Sequence, residues 1–163
     1  MSFRPAGLAM VAALAAVLGC ATGPTPPPTW QLVSPGTTTT VTGPGGSLVF
    51  GPSSVDQPVR VTMSEASPQG IELGEGCGLS NPVVLGALRF EVEGDASIRD
   101  VRGVAEIPPT SAGSFVHVYR EALAGGGYTD AGDFAVVASG GSTAVYEGID
   151  REGTWAFVVP GGG

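Results

Sequence analysis

Apolar residues recur at every second position through most of this chain, and that period confines it to strands. Val59, Val61 and Met63 alternate with Arg60, Thr62 and Ser64, while Leu88, Phe90 and Val92 alternate with Arg89, Glu91 and Glu93. Successive side chains of a strand point to opposite faces, so each run offers one apolar and one polar face. Phe115 to Arg120, Asp133 to Ala138 and Thr154 to Val159 read the same way, the last with Trp155, Phe157 and Val159 on one side. Turn signals separate the runs: Gly43-Pro44-Gly45-Gly46, Ser67-Pro68-Gln69-Gly70, Asn81-Pro82, Gly125-Gly126-Gly127 and Gly140-Gly141. No window keeps a helical period over three turns. Roughly eight to ten short strands, spaced by roughly 8–12 residues, predict an all-β domain, a small antiparallel β-sandwich of the Ig-like kind, over residues 37–163. The 27 Gly and 14 Pro, against 13% charged residues, suit many turns and do not suit a helical bundle.

Charge narrows the partners. Seven Arg, no Lys and fifteen acids leave a formal net charge of -8 and a pI near 4.4. Nucleic-acid binding needs cations clustered on one face, and here the Arg are scattered among more than twice as many carboxylates, so nucleic acid is excluded as a partner. Attraction of the folded part to anionic lipid is excluded on the same ground.

The N-terminus has the layout of an export signal: one cation at Arg4, an apolar run from Ala6 to Leu18, then Gly19-Cys20. At ~1.5 Å rise per residue, a dozen or so apolar residues fall short of a ~30 Å hydrocarbon core, so the run does not span a bilayer. Val17-Leu18-Gly19-Cys20 resembles the lipobox of bacterial lipoproteins, with Leu18 where a smaller residue is commoner. That resemblance implies cleavage between Gly19 and Cys20 and removal of residues 1–19. It further implies fatty acyl chains on Cys20 and a protein held to the bacterial envelope by lipid, with Ala21 favouring the outer membrane. Two or more acyl chains, at ~0.8 kcal/mol per buried CH₂, anchor stably where one does not. Residues 20–36 follow as a lipidated Cys and a Pro-rich tether, with Pro24, Pro26, Pro27 and Pro28 favouring an extended polyproline II run. Sixteen residues of it, Ala21 to Gly36, reach on the order of 50 Å, enough to hold a domain clear of the membrane. The apolar Trp30, Leu32 and Val33 also suit a first short strand docked on the domain.

Loss of residues 1–19 leaves six Arg against fifteen acids, a balance of -9. It also leaves Cys77 as a free thiol, for which burial in the Glu75-Gly76-Cys77-Gly78 turn is the plain reading. His117 is the sole histidine and falls on the same strand face as Phe115 and Tyr119, as expected of a packed or edge imidazole. No Gly-x-Ser-x-Gly elbow accompanies it. Catalytic zinc needs about three clustered ligands, and one His with one Cys forty residues away does not supply them. The segment Tyr128-Thr129-Asp130-Ala131-Gly132-Asp133 offers Asp130 and Asp133 as candidate calcium ligands, though without the spacing of a calcium loop, and turn chemistry alone explains both. No cofactor is expected.

Thr40 to Leu48, followed by Val49 to Thr62 and by Arg89 to Pro108, is similar to ZU5-like domains, with their Gly-Gly turn, corner and "V-x-V-T" strand. The corner here reads Gly51-Pro52-Ser53-Ser54 where the family carries Ile-Pro-x-Gly, and the second block lacks its internal Pro. No His-Phe-Ser triplet is present, so the self-cleavage of some members does not carry over. The resemblance implies a β-sandwich used for protein contacts. The expected function is a lipid-anchored, non-catalytic envelope module that meets another envelope protein or an extracellular partner. The alternatives are a small envelope hydrolase or thiol-redox protein using His117 or Cys77, and a calcium- or glycan-binding module built on the acidic loops.

Overall fold

In a computed structural model of the chain, the described residues are 29–74, 77–111, 113–123 and 127–161. The expected signal segment over residues 1–19, the Gly19-Cys20 junction and the expected tether as far as residue 28 lie outside them. Ten strands form: β1 (Gln31–Val33), β2 (Thr39–Gly43), β3 (Gly46–Phe50), β4 (Val59–Ser64), β5 (Val83–Glu93), β6 (Val101–Glu106), β7 (Phe115–Glu121), β8 (Tyr128–Val137), β9 (Thr143–Ile149) and β10 (Gly153–Val159). A 3-10 turn forms at Pro68–Gly70, and among the described residues no helix is long and apolar enough to cross a membrane.

All ten strands are hydrogen-bonded into one antiparallel sheet, in the order β1-β4-β5-β10-β7-β8-β9-β6-β3-β2. The all-β class expected from the alternation is what the chain forms. The sheet curls until its two ends nearly meet, and the meeting strands, β1 and β2, are neighbours in sequence. At that seam the Gln31 side-chain amide donates to the Thr42 carbonyl across 3.2 Å, and Gly43 lies so close to Met63 of β4 that an added Cβ would fall 2.4 Å from the Met63 Cβ. An open edge exposes unpaired N–H and C=O groups, and here the Gln31 side chain takes up one of them, the Thr42 carbonyl.

The expected start of the domain at residue 37 moves upstream. Gln31, Leu32 and Val33 pair with Val61, Arg60 and Val59, and the Thr62 hydroxyl donates to the Thr29 carbonyl at 3.3 Å. Val33 is fully buried, and sealing it inside outweighs leaving it on a tether.

Inward positions alternate as read. Val59, Val61 and Met63 of β4, Leu88 and Phe90 of β5, and Trp155 and Phe157 of β10 all enter one core with Leu48, Phe50, Val116, Val118 and Ile149. β10 is buried on both faces, because Ala156 and Val158 point outward beneath the long β4–β5 connection. Ile71, Leu73, Cys77 and Leu79 of that connection pack over them beside Tyr119. Opposite walls approach closely at Gly86 and Gly103. A Cβ on Gly86 would sit 2.4 Å from the Glu106 carbonyl oxygen, and one on Gly103 would sit 3.1 Å from Leu88 Cδ1 across the core. Glycine at these two inward positions lets the sheet flatten.

Candidate functional site

β7 and β8 carry the feature that departs most from ordinary surface chemistry. Val116 and Val118 point inward from β7, and Ala135 and Val137 from β8, so by strand alternation Phe115, His117, Phe134 and Val136 must face out. Register places Phe115 opposite Val136 and His117 opposite Phe134. The row continues across the sheet, with Val136 opposite Val145 of β9 and Val145 opposite Val104 of β6. Directly paired side chains on neighbouring strands stand ~4.5–5.5 Å apart, so these residues form one apolar stripe over four strands. Phe115 is 69% exposed and Phe134 51%. Their rings meet edge-on at 6.0 Å.

His117 belongs to this stripe. Its ring packs edge-to-face on Phe134 at 4.8 Å and 67°, and its β10 neighbour is Val158. It shares a face with Phe115 and Tyr119, as the alternation required. The side-chain hydrogen bonds found among the described residues bring no serine, cysteine or carboxylate to the imidazole, so a base–nucleophile pair has no geometric support there.

Cys77 is half-buried in the β4–β5 connection. Its sulfur lies 3.9 Å from the Leu79 carbonyl, and its own carbonyl accepts from the Tyr119 hydroxyl. The thiol therefore packs the outer cluster over Tyr119 and Val158, on the same outer sheet face as His117, and the hydrogen bonds found among the described residues do not join the two side chains. Burial, with smaller contributions from Asp130 and Cys77, pushes the Tyr119 phenol above its ordinary pKa. Tyr146, in ring contact with Trp155 at 5.8 Å, is raised by burial first and by the Asp133 and Asp150 charges second.

The candidate calcium residues fall within β8 and not in a loop. Pairing with β7 slips between His117 and Tyr119, where Ala131, Gly132 and Asp133 bulge out. Gly132 adopts φ +89°, and its N–H donates to Asp130 Oδ1 at 2.8 Å. Asp130 thus closes the bulge as a local turn acceptor. Among the described residues no three His, Cys, Asp or Glu come together as metal ligands.

A second surface feature lies at the other end of the β7–β8 hairpin. An open groove of about 420 Å³ runs between Trp30, which leads into β1, and Leu123 in the hairpin turn, with Val92 and Ala122 between and Glu121 and Glu152 on its rim. Both carboxylates are committed to the backbone: Glu121 accepts from the Thr154 N–H at 3.2 Å and Glu152 from the Val92 N–H at 2.7 Å.

Sequence reasoning placed Phe115 and His117 on one strand face but did not single out Phe134, Val136 or Leu123. Both faces of β8 are apolar around Phe134, so alternation alone does not say which residues face water. The slip at Ala131–Asp133 decides it.

Comparison with protein-family models, curated proteins and solved structures returned no match to this chain.

Proposed function

We propose that the protein is a lipid-anchored lipoprotein of the bacterial envelope, sorted to the outer membrane, whose β-domain is a non-catalytic module for contact with another envelope or extracellular protein. The observation that carries this reading is the outward stripe of Phe115, Phe134 and Val136 with the half-buried His117. Exposed aromatic clusters on a rigid sheet are the usual anchors of protein interfaces. The lipid anchor rests on the Val17-Leu18-Gly19-Cys20 resemblance and on the export layout before it. We read the flattened sheet as a sandwich of the ZU5-like kind, on the quoted motifs and on the close approach of opposite walls at Gly86 and Gly103.

Photo-crosslinking in intact cells tests the contact. A crosslinker in place of Phe115 is expected to yield a discrete adduct that one in place of the exposed Thr129 does not; equal labelling at both positions refutes the stripe as an interface. Turnover in a hydrolase or thiol-exchange screen that vanishes in His117→Ala or Cys77→Ser would overturn the non-catalytic reading.

A further inference from the structure

The tether is much shorter than its composition suggests. Because Thr29 is already hydrogen-bonded to β4 and Gln31 is in β1, only ten residue steps separate Cys20 from Trp30. Even fully extended as polyproline II they span on the order of 30 Å, comparable to the diameter of a domain of this size. A domain held by Cys20 therefore keeps the side bearing Trp30 toward the bilayer.

That side has the chemistry of an interface with lipid. Trp30 is 40% exposed, Leu32 63% and Leu123 86%, the last being the most exposed large apolar side chain described. Trp30 and Leu123 flank one groove, and Leu32, the exposed residue of β1, lies two residues after Trp30. Tryptophan prefers the headgroup region, where its apolar ring and N–H are both accommodated, and a protruding leucine at a hairpin tip inserts at little cost to the fold. Phe115 starts β7, eight residues before Leu123 or about 26 Å along the hairpin, so it lies at the opposite end of the strand from the surface that Trp30 meets.

We infer that the Trp30–Leu32–Leu123 face docks on the bilayer surface that holds the lipidated Cys20, and that the lipid it accepts is zwitterionic. This rests on the lipid-anchor reading above. Acidic groups at the groove, Glu91, Glu121 and Glu152 against Arg89, repel an anionic surface within about a Debye length.

Tryptophan fluorescence of the full lipoprotein tests this, since Trp155 is buried and the difference between wild type and Trp30→Phe isolates Trp30. The protein is purified in detergent and reconstituted in phosphatidylethanolamine–phosphatidylcholine vesicles, with mass spectrometry of the Cys20 peptide in parallel. Expected are a blue shift of the Trp30 emission, quenching by brominated lipid and a several-fold loss of acrylamide quenching. Leu123→Asp, on an exposed side chain, should reverse all three, and added phosphatidylglycerol should weaken them at low salt. A lipidated protein whose Trp30 stays open to acrylamide and untouched by brominated lipid refutes docking and leaves the anchor standing. Protein without acyl mass refutes the anchor and the docked geometry with it. Protection of Trp30 in cells but not on vesicles assigns the face to a protein partner and overturns the inference.

Discussion

Gly86→Ala measures how tightly the two walls of the sheet are pressed together. Gly86 is buried and faces inward on β5, and its φ lies outside the left-handed region, so alanine brings no backbone strain. The new methyl would stand 2.4 Å from the Glu106 carbonyl oxygen and 3.2 Å from Ile107 Cγ2. An ordinary carbon–oxygen contact is ~3.3 Å or more, so β5 and the end of β6 must separate by about 1 Å. Overpacking of this kind costs ~1–3 kcal/mol, and the upper part of that range applies because the obstacle is backbone rather than the tip of a flexible side chain. Alanine recovers ~0.5–1 kcal/mol by narrowing the unfolded ensemble. The net expectation is a loss of roughly 1–2 kcal/mol, or about 4–8 °C in Tm for a domain of this length. Urea titration of wild type, Gly86→Ala and the control Gly70→Ala decides the matter. Gly70 has nothing within 4 Å of its would-be Cβ, so its midpoint should stay within ~0.5 kcal/mol of wild type. If Gly86→Ala matches Gly70→Ala at unchanged m-value, the close approach of the walls is not a feature of the folded protein.

Cys20→Ala is expected to leave an uncleaved precursor or release the protein from membranes, read by fractionation; a wild type that fractionates as soluble protein refutes the anchor. Phe115→Ser should abolish the crosslinked adduct while shifting stability by no more than ~0.5 kcal/mol, because the ring is mostly in water; loss of folding would show the stripe to be structural. Tyr119 and Tyr146 have phenols raised above their unfolded values by burial, so the stability they confer is full below about pH 10 and is lost as pH rises through the raised values. Urea midpoints should therefore fall from pH 9 to 11, and less steeply in Tyr146→Phe; an unchanged slope in that variant removes Tyr146 as a contributor.

Much of the fold was legible because burial writes itself into alternation. β4 and β5 show their inward residues directly, since charges or hydroxyls occupy the intervening positions, whereas in β10 only the size of Trp155 and Phe157 against Ala156 and Val158 marks the inward face. Sheet closure was not legible: the Gln31–Thr42 bond and the Gly43–Met63 contact join segments whose pairing depends on where eight other strands run. β1 was half-visible in Trp30, Leu32 and Val33, but the prolines before it argue for a tether right up to the point where the Val33 side chain finds the core. Asp130 illustrates the opposite failure. A turn-forming aspartate and a metal ligand have the same sequence signature, and only the Gly132 N–H on its carboxylate tells them apart. The apolar stripe escaped because β8 has apolar residues on both faces, which periodicity cannot resolve into buried and exposed.

The seam between β1 and β2 also decides how the domain would meet a mechanical load. Any pull transmitted through the N-terminal segment arrives first at β1, a strand of three residues held by one short ladder to β4, the Thr62–Thr29 bond and the Gln31 clasp. The ladders that hold β10 to β5 and to β7 are longer than that of β1. Peeling β1 would free Gln31, Leu32 and Val33 as extra cable, lengthening the N-terminal segment by roughly 10 Å at ~3.3 Å per residue and uncovering the β4 edge. The first strand is thus the domain's mechanical fuse, a part that yields at low force while the rest of the sheet stays intact.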